Sequence, residues 1–146
     1  MPESARLIDL PAMDAGAPMP TVLWGIRQYL LYFAPESPTA ENVVILEFDR
    51  GLAIKYGPPS DETLMNHRLW GKGLGFYASH EVLDSDWLKE LELMDAHRSS
   101  PGWLRAYKHY LFTFHDEAVE CLAMGCSWRL RSGGMVEAVQ ELAGQI

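Results

Sequence analysis

Apolar and polar residues alternate in two neighbouring segments near the C-terminal end of the chain. Residues 108–115 and 118–131 place apolar side chains at every second position over much of their length, and the acidic pair Asp116 and Glu117 separates them. Strand side chains point alternately to the two faces of a sheet, so this pattern predicts two long strands joined as a hairpin. The face predicted to enter the core carries Tyr110, Phe112, Phe114, Val119, Cys121 and Ala123.

A second alternating segment, residues 43–56, predicts an earlier hairpin. Its turn contains Gly51, which can take the positive φ that a three-residue hairpin loop needs. In that hairpin Glu47 and Lys55 share one face, where a cross-strand ion pair would contribute at most ~1 kcal/mol. Residues 76–83 predict one further strand.

Residues 21–33 fit two patterns. Ile26, Leu30 and Phe33 recur at helical spacing, whereas residues 29–33 have the aromatic and aliphatic composition of a strand. We favour a strand over the second half of this segment.

Two segments carry the signals of amphipathic helices. The run Asp84, Ser85 and Asp86 offers a capping side chain followed by a negative charge in the first turn, so a helix is predicted to begin at Ser85. Residues 135–146 predict a C-terminal helix. The predicted apolar stripes are Trp87, Leu88, Leu91 and Met94 in the first helix, and Val136, Val139, Leu142 and Ile146 in the second.

Together these elements predict an α+β fold. We expect an antiparallel sheet of five or six strands, one helix inserted before the last hairpin and a C-terminal helix. Residues 1–20 contain four prolines and predict an extended N-terminal arm, because proline disrupts regular hydrogen bonding. Residues 21–146 are predicted to form a single α+β domain.

Composition narrows the classes of function. The net charge of −8 and the pI of about 5.0 disfavour nucleic-acid binding, because an acidic surface repels phosphates. Cys121 and Cys126 fall on opposite faces of a strand, so we expect free thiols and no zinc site. No apolar run approaches the roughly 20 residues that span a membrane, and the N-terminus does not resemble a secretory signal. We therefore expect a cytoplasmic protein with no cofactor.

The end of the last predicted hairpin carries the groups best suited to chemistry. His115, Asp116 and Glu120 are the candidate catalytic residues, because a carboxylate can orient an imidazole that titrates near neutral pH. A two-residue loop would set Glu120 opposite Thr113 and diagonal to His115. A four-residue loop centred on the same acidic pair would keep the faces and shift the pairing.

His109 lies on the same predicted face, six residues before His115. At about 3.3 Å per residue the two are separated by ~20 Å, which is too far to share one metal ion. We therefore expect no metal site here, and His109 is excluded from the candidate site.

The face of the last predicted hairpin that points away from the core is too apolar to be left fully in water. We expect the C-terminal helix, the N-terminal arm, a second subunit or a ligand to cover part of it. The candidate binding residues on it are Thr113, Met124 and Trp128, beside Leu111, Leu122 and Leu130.

The run from Phe112 to Asp116, Phe-Thr-Phe-His-Asp, followed by Glu120 and Cys121, resembles a motif in small bacterial proteins of unknown function. The resemblance covers about the last third of the chain. It implies a bacterial origin, and it implies no particular activity.

The absence of a strong catalytic motif and the surplus of apolar residues favour a non-catalytic binding or protein-interaction module. We expect it to self-associate as a homodimer or to bind another protein. A small molecule is a further candidate ligand. One alternative is a small acid–base enzyme that uses His115 with Asp116 or Glu120, which would need a pocket reaching His115. Another is an accessory or immunity-type inhibitor protein.

Overall fold

The computed structural model describes residues 2–16, 19–35, 42–94 and 102–145. Within these ranges the chain forms nine β-strands, two α-helices and two short 3-10 helices. The strands are β1 (Ser4–Leu7), β2 (Thr21–Trp24), β3 (Gln28–Phe33), β4 (Asn42–Asp49), β5 (Ala53–Gly57), β6 (Ser79–Leu83), β7 (Lys108–Thr113), β8 (Ala118–Ala123) and β9 (Gly125–Ser132). The helices are α1 (Asp86–Met94) and α2 (Met135–Ala143), with 3-10 turns at Leu64–Asn66 and Trp103–Ala106.

The strands form two antiparallel sheets. One has five strands in the order β1-β6-β7-β8-β5, and the other has four in the order β2-β3-β4-β9. The α+β class, the helix inserted before the last hairpin and the C-terminal helix are confirmed. The second sheet was not foreseen. In the ambiguous segment the favoured strand is confirmed as β3, and β2 precedes it in a hairpin.

The hairpin predicted over residues 43–56 is wrong, because the chain crosses between the sheets after β4. Strand β4 pairs with β9, and β5 pairs with β8, so Lys55 lies opposite Glu120 rather than beside Glu47. Arg50, not Gly51, has the positive φ at this corner. Gly51 is required for space instead, since a Cβ there would lie 2.8 Å from side-chain atoms of Gln28 and Trp24.

The long strand predicted over residues 118–131 is likewise divided between the two sheets. Met124 separates β8 from β9, and its N–H donates to the carbonyl of Asp49 at 2.8 Å. The chain therefore passes between the sheets at two adjacent places, after β4 and at Met124, and these two places join the sheets at one end. Because of this division, Trp128 and Leu130 do not share a sheet face with Leu111 and Leu122.

The main core lies between the two sheets. The predicted inward face of the β7–β8 hairpin is confirmed, since all six of its residues are buried there. Their partners from the other sheet include Leu30, Tyr32, Val44, Leu46 and Phe48, and Ile8, Leu10 and Met13 of the N-terminal segment also pack against this core. The segment is fixed at two further points: β1 pairs with β6, and the Tyr32 hydroxyl donates to the Pro11 carbonyl at 2.7 Å.

Helix α2 covers the outer face of the four-stranded sheet. Ala138 and Leu142 are buried there against Tyr29, Leu31, Val43 and Ile45. Val136 is 66% exposed, so its predicted place in the apolar stripe is wrong, and Ile146 lies outside the described residues. Neither helix in the described ranges is long and apolar enough to cross a membrane.

The position of this stripe predicts a contrast between two α2 variants. Leu142→Ala should lower the free energy of unfolding by about 2–5 kcal/mol, because it leaves a cavity under the helix. Val136→Ala should change it by no more than about 0.5 kcal/mol, because the side chain is mostly in water. Urea unfolding of both variants checks this, and equal losses would contradict the packing of α2.

The outer face of the five-stranded sheet is covered by the chain itself. Leu69 and Leu74, from the loop at residues 58–78 between β5 and β6, pack with the fully buried Leu111 of β7. Leu122 is also fully buried. No second subunit is needed to shield the apolar part of this face.

Candidate functional site

Glu120 is the centre of the polar residues on this covered face. In the β7–β8 register Thr113 pairs with Ala118 and Leu111 pairs with Glu120, so the loop has four residues. This is the second of the two predicted pairings. It places Glu120 diagonal to His109, whose cross-strand partner is Leu122.

Three cationic or imidazole side chains contact the Glu120 carboxylate. The distance from His109 Nε2 to Oε1 is 2.7 Å, and Arg68 Nη2 lies 3.1 Å from the same oxygen. His67 Nε2 lies 3.5 Å from Oε2. Burial alone would raise the pKa of Glu120, but the hydrogen bonds from His109, His67 and Arg68 outweigh burial and hold the pKa well below its usual value.

Arg68 joins Glu120 to a second carboxylate, that of Glu3. Arg68 Nε donates to Glu3 Oε1 at 2.9 Å, and Glu3 Oε2 accepts the backbone N–H of Asp86 at 3.0 Å. Burial acts to raise the pKa of Glu3, whereas the bonds from Arg68 and Asp86 lower it further than burial raises it. The two carboxylates thus tie the N-terminal segment, the 58–78 loop and the start of α1 to the sheet.

Ser85 extends the same chain of hydrogen bonds to helix α1. Its Oγ lies 2.7 Å from His109 Nδ1 and accepts the N–H of Leu88 at 3.1 Å, so within the predicted helix start it is Ser85 that caps the helix. Ionised Glu120 can only accept, so His109 carries a proton on Nε2, and in the neutral imidazole Nδ1 accepts from the Ser85 hydroxyl. We call Glu3, Arg68, Ser85, His109 and Glu120 the polar network.

A cleft of about 400 Å³ opens beside Ser85 and His109 of the polar network. Ser85 and His109 form part of its wall, and Leu88 and Leu104 supply apolar surface. The charged residues around it are of both signs: Lys89, Arg105 and Lys108 against Glu81, Asp84 and Glu92.

His115 does not join Glu120. It is exposed, its Nδ1 lies 2.7 Å from Asp61 Oδ2, and its Nε2 is 3.8 Å from Asp116 Oδ1. The hydrogen bond with Asp61 raises the pKa of His115. His115 lines neither the cleft nor the two cavities beside β9, so the pocket that an enzyme built on His115 needs is not found at any of these three places.

The three candidate binding residues lie apart from one another. Thr113 is buried, and its hydroxyl donates to Gly75 O at 2.8 Å and accepts the Ala78 N–H at 3.0 Å, which fixes the entry to β6. Met124 is half-buried at the crossing between the sheets. Trp128 is 49% exposed on β9.

Sequence reasoning named Glu120 as a candidate catalytic residue and placed Ser85 only at a helix start, and it missed the contacts of both with His109. The separation of His109 from His115 was a valid reason to exclude a shared metal ion, but not to exclude His109 from a site with Glu120. The alternation placed both on one face, and the four-residue loop makes them diagonal neighbours. Arg68 and Glu3 gave no local signal, because they lie 52 and 117 positions from Glu120 in the chain.

Strand β9 presents the other candidate surface. It is the last strand of its sheet, and Trp128 and Leu130 are 49% and 55% exposed on the side that faces the core in β4. On the opposite side Arg129 Nη2 donates to Glu141 Oε2 of α2 at 2.6 Å. Cavities of about 470 Å³ and 140 Å³ adjoin the first half of β9.

No group of three or more metal-binding side chains is arranged to hold an ion in the described parts of the chain. No protein-family model matches the chain, and no curated protein or solved structure was found to be similar to it.

Proposed function

We propose that the protein is an interaction module that binds a second copy of itself along β9. The observation that carries the proposal is the free edge of this strand. Within the described residues, β9 hydrogen-bonds to β4 on one side and has no strand neighbour on the other. An open edge offers a row of backbone donors and acceptors to another strand.

The side chains of β9 support this use of the edge. Proteins usually protect an open edge with proline, an inward-pointing charge, a bulge or a short strand. Strand β9 has eight residues and no proline, and its core-facing side carries Cys126, Trp128 and Leu130. Arg129 and Arg131 lie on the other side, where both contact Glu141. Tryptophan at the centre of such a strand is a typical anchor of protein interfaces.

For antiparallel pairing of two β9 strands, charge favours a register with the two-fold axis at Trp128 over one with the axis at Leu130. With the two-fold axis at Trp128, the two tryptophans face each other, Leu130 faces the partner's Cys126 and Arg129 faces the partner's Ser127. With the axis at Leu130, Arg129 would face the partner's Arg131, which is unfavourable. The first register therefore pairs apolar residues with apolar residues and sets no like charges directly opposite.

Sedimentation equilibrium of the full chain tests the proposal. We expect a dimer for the wild type and at least a tenfold larger dissociation constant for Trp128→Lys, since a lost central anchor costs about 1.4 kcal/mol or more. Trp70→Lys is the matched control, because Trp70 is similarly exposed but lies in the 58–78 loop. Circular dichroism shows whether each variant remains folded.

A cross-link tests the register itself. Residues that face each other across antiparallel strands have Cα atoms about 4.5–5.5 Å apart, which a disulfide can bridge. With Trp128 retained, Leu130→Cys should form a covalent dimer with the partner's Cys126 on mild oxidation, and Arg129→Cys should do so far less readily if the two-fold axis lies at Trp128. A wild type that stays monomeric at tens of micromolar would overturn self-association and point to a different protein as the partner.

A further inference from the structure

We propose that Ser85, His109 and Glu120 form an acyl-transfer site that hydrolyses carboxylic esters of small acids bound in the adjoining cleft. The three side chains are joined by two hydrogen bonds of 2.7 Å each, from Ser85 to His109 and from His109 to Glu120. This order of hydroxyl, imidazole and carboxylate matches a nucleophile, its base and the group that orients the base.

Glu120 sets the orientation and the tautomer of His109. Its carboxylate accepts Nε2–H, so in the neutral ring the lone pair of Nδ1 faces the Ser85 hydroxyl. Arg68 contacts the same carboxylate oxygen and His67 contacts the other one, and together they hold the carboxylate in place. The two ring nitrogens have exchanged roles relative to the usual serine protease order, and either nitrogen is a competent base when the other carries the proton.

Ser85 occupies a position where negative charge on its oxygen is stabilised. It caps the nine-residue helix α1, whose N-terminal end carries partial positive charge. The Leu88 N–H already points at Oγ from 3.1 Å. An alkoxide developing on Ser85 is therefore favoured by the same contacts that cap the helix.

The cleft places substrate against these groups. Its volume of about 400 Å³ is in the range of small-molecule sites, and Ser85 and His109 both line it. Leu88 and Leu104 offer an apolar wall for a short acyl chain. Because charges of both signs surround the cleft, it does not favour a ligand with a large net charge.

The chemical steps balance with water as the only co-reactant. Ser85 Oγ bonds to the carbonyl carbon of the ester while its proton passes to His109 Nδ1. The C–O bond to the alcohol then breaks, and the alcohol leaves with that proton. Water attacks the acyl-Ser85 ester, gives a proton to Nδ1, and the carboxylic acid departs as Ser85 Oγ recovers the proton. Glu120 stays ionised throughout.

Labelling with a fluorophosphonate and hydrolysis of p-nitrophenyl acetate test the site. We expect the adduct on Ser85 by peptide mapping, and Ser85→Asn should abolish labelling and reduce hydrolysis roughly 100-fold or more. Asparagine is also a good N-cap, so this variant should keep its helix and its melting temperature. Ser127→Ala, an exposed serine of β9, is the matched control and should label like the wild type.

The exposed imidazole of His115 can itself hydrolyse an activated ester and so gives a background rate. His115→Ala removes that background and should leave the Ser85 adduct unchanged. A folded wild type that does not label would overturn the assignment, and so would equal hydrolysis by the wild type and Ser85→Asn.

Discussion

Replacing Glu120 with glutamine is expected to lower the free energy of unfolding by about 3 kcal/mol. Removing one member of a buried ion pair leaves its partners without compensation, which typically costs about 3–5 kcal/mol. We expect the lower end because Arg68 keeps Glu3 and is itself 41% exposed. Glutamine has nearly the same shape, so the loss measures charge rather than a cavity. Urea unfolding at neutral pH gives the value.

The same variant should change the response of stability to acid. The folded-state pKa of Glu120 lies below its unfolded value of about 4.3, so its contribution is complete above that value. It is lost as the pH falls from there towards the folded-state pKa. Between about pH 5 and 2 the wild type should therefore lose stability more steeply than Glu120→Gln. Glu3 has a lowered pKa too, so some slope should remain in the variant.

Glu141→Gln is the control for both measurements. Glu141 also binds arginine side chains, but the pairs lie on the surface, where water and salt screen them. We expect a much smaller change in stability than for Glu120→Gln. Similar losses in the two variants would contradict the assignment of Glu120 to a buried network.

The second large effect is expected at the contact between the sheets. Phe112→Ala should lower the free energy of unfolding by about 3–5 kcal/mol, because it removes a large side chain from a closely packed core. Phe112 is fully buried on β7, and its ring meets Phe48 of the other sheet edge-on with centroids 6.0 Å apart. The cavity would therefore lie between the two sheets, whose packing against each other forms the main core.

Phe76→Ala is the comparison for this prediction. Phe76 is an aromatic residue of the same size, half-exposed in the 58–78 loop. Its removal should cost about 1 kcal/mol or less, measured by the same urea unfolding. If the two variants lost equal stability, the core would not be centred between the sheets.

Several features could be predicted because a few neighbouring residues determine them. The period-two alternation of β7 and β8 correctly assigned the buried face of the hairpin, and Ser85 marked the start of α1. Strand composition likewise identified β3. In each case the backbone geometry links residues only two to four positions apart, so the pattern is complete within one segment.

The α2 stripe shows where a local pattern is insufficient. Val136 has helical spacing with Val139, yet it is exposed, and Ala138 is buried instead. A helix can turn a different side to its sheet without changing its own sequence pattern. The rotation of α2 follows from its contacts with β3 and β4, which are distant in the chain.

The sequence by itself determined the α+β class, the α1 start and the alternation that puts His109 and Glu120 on one face. Only the tertiary structure decided that the strands divide into two sheets, since a crossing and a hairpin share the same local alternation. It also brought Arg68 and Glu3 to Glu120 and, among the described residues, left β9 with a strand neighbour on one side only. These outcomes depend on which distant segments bury each other's apolar faces. The spacing of residues within one segment does not specify which other segment will pack against it.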